Sequence, residues 1–527
     1  MDGALIQLIL PLKLNWLPTY RAEGSLKAGD RVYAKFAGRE YVGVVYRIGV
    51  ESGLPASRIS TLERRECPLP AISSGELRLW EFISEYYMCT LGEVYRAAYP
   101  VSKIRSENSI SERLGRLKDS LAKVEQDLTR KHRDNVLQRL QARRDELIRS
   151  IERLSRRPEP KERPQSAPPK PEVLPGTMRC QSYLPLLEAV LESSDQALVL
   201  APEKAFCEAL YRSLSPLGAD SVELFSSEKT AASRNRIAQR LRNCESLVAL
   251  GTRSAVFLPF SRLSLIIVDD EQDPSFKQTE PAPRYNARDL AVKLAMIHGC
   301  RIILGSACPS LETHLNCLSG RYTLLEGVWS GALPVPEVID IASEKRKNGM
   351  LGPLSRKLIA RIAACPEGVI LLHRYEKKED VEQQCSKLFP DRDNIRVVSL
   401  QELKSAGPQG ARLVGVLQAD ALIRSDDFRA DERCCQLVAM LGSLCPEVVI
   451  QTAVGERFSN LRSSEELLAE RKRFNFPPYS RLVEIRRQGS AELLRREFLP
   501  RDSSLSSRKA ALAADLESNC YIDVDPV

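Results

Sequence analysis

The chain has 527 residues, 43% hydrophobic and 28% charged, enough for three or four domains with cores of their own. A net charge of +8 permits a polyanionic partner without demonstrating one. The 14 cysteines include no Cys-x-x-Cys pair, and His132, His298, His314 and His373 lie in separate segments, which argues against a disulfide scaffold or a zinc site. No apolar run reaches the length of a membrane span, so a cytoplasmic protein without a membrane segment is expected.

The first 100 residues open with short alternating runs punctuated by glycine, LKAGDRVYAKFAGREYVGVVYRIG, which predict a small β-barrel or sandwich. A helix follows, with Leu79, Phe82, Ile83, Tyr86 and Tyr87 at helical spacing and Gly92 and Pro100 closing it. From Ile110 the leucine spacing becomes that of a coiled-coil seam, breaks around KHRDN and resumes out of phase at Leu137. That predicts two antiparallel charged helices joined near His132 to Asn135. Their Lys and Arg residues read as a solvated face, with DNA phosphate contact as the alternative. RRPEPKERPQSAPPKPEVLPG reads as a semi-rigid linker.

Beyond it, QALVLAP, SLVAL, LSLIIVDD and RIILGSA alternate with helical patterns such as ARDLAVKLAMIHG. A second set follows with GVILLHR, IRVVSL, ARLVGVLQA and EVVIQT. Hydrophobic strands alternating with amphipathic helices predict parallel sheets covered on both faces, here two α/β units in tandem. The stretch LIIVDDEQD, Leu265 to Asp273, delivers carboxylates to a strand end, half of a metal-nucleotide site. The acids are equally consistent with solvated side chains at the end of a strand.

The strings GTRSAVF, VDDEQDPSFKQ, RYNARDLAV and LGSACPSLET, followed by LAERKRFNFPPYSRL and the C-terminal DVDP, resemble in order and spacing the PriA family of primosomal replication-restart helicases. The likeness covers nearly the whole chain except about 104 to 175. It implies a β-barrel-like 3′ DNA-binding domain over 1–103; the helical hairpin read over 104–157 takes the place of the family's winged helix, and the linker spans 158–175, giving a multidomain fold. Degenerate RecA-like domains over 176–330 and 331–460 and a C-terminal remnant over 461–527 complete it.

Against the family's phosphate loop, Pro175, Gly176, Thr177, Met178, Arg179 and Cys180 keep one glycine and replace the lysine, which the chemistry of phosphate and Mg²⁺ binding disfavours. Asp269 and Asp270 stand at the metal-binding and catalytic acid positions, with Gln272 for the family's histidine. QLVAMLGSLCPE occupies the place of the helix whose arginines would reach the γ-phosphate, and the family's paired zinc-binding cysteines are missing after LLHRY. Gly176, Arg179 and Asp269 are thus the remnant of a nucleotide site, Asp269 and Asp270 of a catalytic one. No cofactor is expected, zinc included.

For the family's pocket for a DNA 3′ end, the alignment puts Pro18, Thr19 and Tyr20 on its aromatic-acid-tyrosine trio, with Gly38, Arg39 and Arg58 alongside. Tyr20 would stack on a terminal base or be a core tyrosine, and the arginines would neutralise phosphate or stand solvated. The resemblance implies a replication-restart protein that recognises forked or 3′-ended DNA, with other primosome proteins as partners, without ATPase or helicase activity. An ATP-dependent 3′ to 5′ helicase using ATP and Mg²⁺ at a divergent site, and a non-enzymatic structural adaptor, are the alternatives.

Overall fold

The structure is a computed structural model that describes residues 4–51, 55, 58–63, 67, 69–99, 110–130, 134–155, 168–176, 179–218, 220–226, 228–325, 333–423, 427–490, 492–514, 516–517 and 519–527. Thr177 and Met178 of the loop, most of the Pro-rich linker, the start of the hairpin unit and its 131–133 connection therefore lie outside the described residues.

Strands β1 (Ala4–Ile9), β2 (Thr19–Ala22), β3 (Arg31–Phe36) and β4 (Arg39–Ile48) form an antiparallel sheet in the order β2-β1-β4-β3. The sheet curls without closing: edge strands β2 and β3 are not paired, and the Tyr20 hydroxyl spans the gap by donating to the Lys35 carbonyl at 3.0 Å. Where one helix with a glycine stop is predicted, two occur, Ser74–Tyr87 and Leu91–Ala98. The chain turns at Met88 in the left-handed region (φ 54°), and Thr90 opens a capping box with Glu93. Gly92 sits inside the second helix. Trp80 and Ile83 are buried, and the first helix packs on helix Ala287–His298 of the next unit.

The charged helices Ile110–Leu128 and Asp134–Ser155 pack against each other as the predicted hairpin. The first α/β unit holds β5 (Glu172–Pro175), β6 (Gln196–Leu200), β7 (Val222–Phe225), β8 (Leu247–Gly251), β9 (Leu263–Asp269), β10 (Arg301–Ser306) and β11 (Thr323–Leu324). They form one parallel sheet in the order β11-β5-β10-β9-β6-β8-β7. Buried on both faces, its central strands are nearly continuous Val, Ile and Leu.

The second unit holds β12 (Glu337–Asp340), the hairpin β13 (Met350–Leu351) and β14 (Leu354–Ser355), then β15 (Gly368–Leu372), β16 (Ile395–Val398), β17 (Ala411–Val416) and β18 (Glu447–Thr452). Its parallel sheet runs β12-β18-β17-β15-β16. Last come β19 (Ser480–Arg487), β20 (Leu493–Pro500) and β21 (Cys520–Val524), antiparallel in the order β20-β19-β21.

β21 is a junction. Lys277, in the loop after β9, donates to the Val524 carbonyl at 2.6 Å and pairs with Asp523 at 2.7 Å. Tyr86 of the N-terminal unit donates to Asp525 at 3.2 Å. No described helix is long and apolar enough to cross a membrane.

Candidate nucleotide and DNA sites

β9 ends on Asp269, and Asp270 follows in the left-handed region at φ 53°, a conformation that Asp tolerates better than most residues. The turn aims both carboxylates at one guanidinium. Arg179, at the start of helix Arg179–Glu192, donates from Nε to Asp269 at 2.6 Å and from a terminal nitrogen to Asp270 at 2.6 Å. Its other terminal nitrogen reaches the Gly176 carbonyl. Tyr183, one turn along the same helix, donates to Asp269 at 2.8 Å.

The cluster is almost dry, with Arg179, Asp269 and Asp270 exposed by 7%, 3% and 6%. Burial works against the guanidinium charge, yet Asp269 and Asp270 hold its pKa well above the usual arginine value. Burial also pushes the Asp270 carboxyl up, against the pull of Arg179. The Tyr183 hydroxyl rises well above its ordinary value through burial and the neighbouring Asp269.

Glu271, next along the chain, points elsewhere. One of its oxygens accepts from the Ser310 amide at 2.7 Å, and the other accepts from the Ser310 hydroxyl at 3.1 Å and from Arg288 at 3.2 Å. Gln272 accepts from Ser306 at 2.6 Å. These two side chains anchor the chain ahead of helix Leu311–Leu318. Asp273 reaches the second unit, pairing with Lys404 at 2.6 Å. Burial opposes its ionisation, but Lys404 and hydrogen bonds from Ser275 hold its carboxyl below the ordinary value.

A phosphate loop would present successive backbone N–H groups around a lysine, and Mg²⁺ would need carboxylate oxygens; here Arg179 takes one oxygen of each facing carboxylate. On the opposite lobe Arg433, one turn into helix Ala430–Leu444, pairs with Asp427 at 3.0 Å and donates to the Ile423 carbonyl at 3.3 Å. Among the described residues no three His, Cys, Asp or Glu side chains come together as a metal-holding group.

The N-terminal residues are placed differently from the expectation. Tyr20 is 4% exposed, packed with Ile6, Leu8 and Val45 in the sheet's own core. Of the two readings of Tyr20, its burial matches the core tyrosine, which ties β2 to β3 through its hydroxyl. Thr19 is half-buried, on the edge strand and paired with Gln7. Ala37 and Gly38 make the two-residue β3–β4 turn, both at positive φ, and Arg39, which follows it, is exposed. Arg58 is exposed, on the segment whose Ser60 and Leu62 hydrogen-bond the Arg21 backbone beside β2.

The aromatic side chain that sequence reasoning missed is Trp16. It is 56% exposed, 6.0 Å from the Phe36 ring at the mouth of the same turn. Lys35, beside Phe36 in β3, pairs with Glu63 at 2.5 Å across the surface.

A cleft of about 710 Å³ lies where the N-terminal helices meet the first α/β unit. Arg96, Lys204, Arg234 and Arg253 line it together with Tyr99, Phe225, Phe257 and Tyr285, and Glu203 and Glu228 are its acids.

Residues 7–100 match the 3′ DNA-binding domain family of PriA, and residues 182–316 match the DEAD/DEAH box helicase family. The replication restart protein PriA of Rickettsia felis is 24% identical over 89% of this chain and 84% of its own length. The Rickettsia conorii protein is 25% identical over the same shares. The chain is a divergent relative of the PriA replication restart proteins. Identity rises to 32% against the Haemophilus influenzae PriA over 38% of this chain and 28% of that protein. The structure of RecG bound to a three-way DNA junction, 13% identical, aligns over 76% of this chain and 51% of its own at a TM-score of 0.33, too loose a match to bear on function.

Proposed function

We propose that this PriA relative acts in replication restart by holding forked or 3′-ended DNA, and that it does so without turning over nucleotide. The observation that carries the reading is a contrast between two ends of one molecule. The acids that would bind Mg²⁺ are closed on Arg179, while Trp16 stands exposed near the ring of Phe36, the strand partner of Arg39, in a sheet whose family is DNA-binding.

Chemistry supports each half. A ring exposed beside guanidinium and ammonium groups is what a terminal base and its phosphate recognise, stacking on the one and neutralised by the others. In this reading Trp16 supplies the aromatic that the family position at Pro18 lacks, and Arg39 and Arg58 supply charge. The cleft lined by Arg96, Lys204, Arg234 and Arg253 would take the strand onward as backbone contacts. Without nucleotide turnover, any contribution to fork processing lies in positioning DNA and recruiting other primosome proteins.

The test pairs two assays on the full chain. Fluorescence anisotropy with a fork bearing a free 3′ end should show binding that weakens when that end is blocked. ATP hydrolysis with the same fork and Mg²⁺ should stay at the no-protein background. Turnover above about 1 s⁻¹ that Asp269→Ala abolishes would establish the helicase alternative instead, since typical motor rates begin in that range. Equal binding of blocked and free ends would favour the adaptor.

A further inference from the structure

The geometry points to Arg179 as the resident cation of the acid pair after β9: its guanidinium takes the place of a divalent ion, and the pair is a cation site filled by the chain itself. This rests on the reading that the site holds no metal nucleotide, and it adds what closes that site and what would reopen it.

The ligand set is one that a hard cation would choose. Arg179 donates to carboxylate oxygens of Asp269 and Asp270 and to the carbonyl of Gly176, three oxygens from two separate segments, the donor type that divalent ions of this class prefer. Burial leaves the pair a choice between a cation and a proton on one acid. Two adjacent carboxylates this deeply buried cannot both stay ionised unless a positive charge lies between them.

The neighbouring strand is shaped for the guanidinium. Gly305 of β10 pairs with Asp269; a Cβ there would lie 2.1 Å from the Tyr183 hydroxyl and 2.9 and 3.0 Å from Cδ and Nε of Arg179. A glycine at 305 is therefore what leaves room for the side chain that fills the site. The next positive charge, Lys404, pairs directly with Asp273 and acts on Asp270 only at longer range, so removing Arg179 would take away the cation that hydrogen-bonds the pair.

The inference predicts a latent metal site. In the full-length Arg179→Ala protein, unfolding in chelator should begin on the order of 5 °C lower than in wild type, because breaking a buried ion cluster on one side is strongly destabilising. Added Mn²⁺ should restore at least half of that shift, and Mn²⁺-induced water relaxation should report one site binding at least tenfold more tightly than any in wild type. Asp269→Asn in the same background should remove both responses, and wild type should show neither.

If Arg179→Ala refolds only when Mn²⁺ is present, the inference stands. If it gains no Mn²⁺ site while folded, or fails to refold in Mn²⁺ as well as in chelator, the inference fails. It also fails if wild type already binds Mn²⁺ in a manner that Asp269→Asn weakens. ATP turnover by wild type would sink the functional reading, whereas a turnover-free wild type with a metal-indifferent Arg179→Ala sinks this inference alone.

Discussion

Tyr20 and Trp16 exchange the roles that their chemistry suggests at first sight, and mutation separates them. Tyr20→Phe removes the hydroxyl that joins β2 to β3 and should lower stability by about 1 kcal/mol, the net worth of one such bond, leaving DNA affinity unchanged. Trp16→Ala should leave the denaturation midpoint nearly unmoved and weaken binding to a free 3′ end by ~1–3 kcal/mol, one stacked base. Urea denaturation and anisotropy on both variants check the pair. The signal for Tyr20 was present in the sequence: in Thr19-Tyr20-Arg21-Ala22 the period of two puts Tyr20 and Ala22 on one face, and both are buried. The likeness to the family's aromatic trio outweighed that alternation. For the acids, the sequence exposed the loss of loop glycines and lysine. It could not show that Arg179 would turn back onto Asp269, because that contact spans 90 residues and depends on a glycine in another strand. Gly305→Ala should therefore cost roughly 1–3 kcal/mol through overpacking against Tyr183 and Arg179, read as a lower urea midpoint.

The two α/β units are held together by ties between elements. Leu311, at the start of helix Leu311–Leu318, donates its amide to Glu432 of the second unit at 3.0 Å, and Arg471 pairs with Glu432 at 3.3 Å. The Lys404 pair with Asp273 adds a second tie, and Cys308, Cys435 and Leu467 form an apolar contact beside them. On the same helix, burial holds the His314 imidazole below its ordinary pKa despite the pull of Glu465. The unfolded chain then binds more protons once the pH drops below about 6.5, so stability is lost as pH falls from there. Asp273 carries the opposite charge type and a depressed pKa, so its contribution is present above about 3.9 and is lost only as pH falls through its lower folded value. Of these two groups only the histidine titrates between pH 7 and 5.5, so His314→Gln should reduce the fall in urea midpoint measured over that range. The central strands were legible as long hydrophobic runs. β5, β7, β11 and β12 were not, since these strands of two to four residues stand in no longer apolar run of the kind that marks the central strands.

For the molecule as a whole, DNA binding through Arg39, Arg58 and the cleft should weaken steeply with salt, as contacts to phosphate do. Lys204→Glu with Arg234→Glu should make the slope of affinity against salt shallower by roughly two, while Trp16→Ala should leave the slope alone, measured by titrations between low and physiological ionic strength. Elemental analysis after purification without chelator should find no stoichiometric zinc, since closed zinc sites need four convergent ligands. The tandem α/β plan was legible because two sheets repeat one alternation. The C-terminal three-stranded sheet was not, because β20 carries Arg495, Arg496 and Glu497 where an apolar run would mark a strand.

That last sheet bears on how the chain reaches its folded state. The bond from Lys277 to Val524 closes a loop of 247 residues, and that from Tyr86 to Asp525 one of 439. Closure entropy grows only logarithmically, about 0.6 kcal/mol per doubling, so contacts this distant cost little more at equilibrium than much shorter ones. Their cost is in time, because a strand cannot dock on surfaces that have not yet formed. We predict that β21 docks late, so that protection of the Lys277 loop from hydrogen exchange becomes the natural clock for completed assembly.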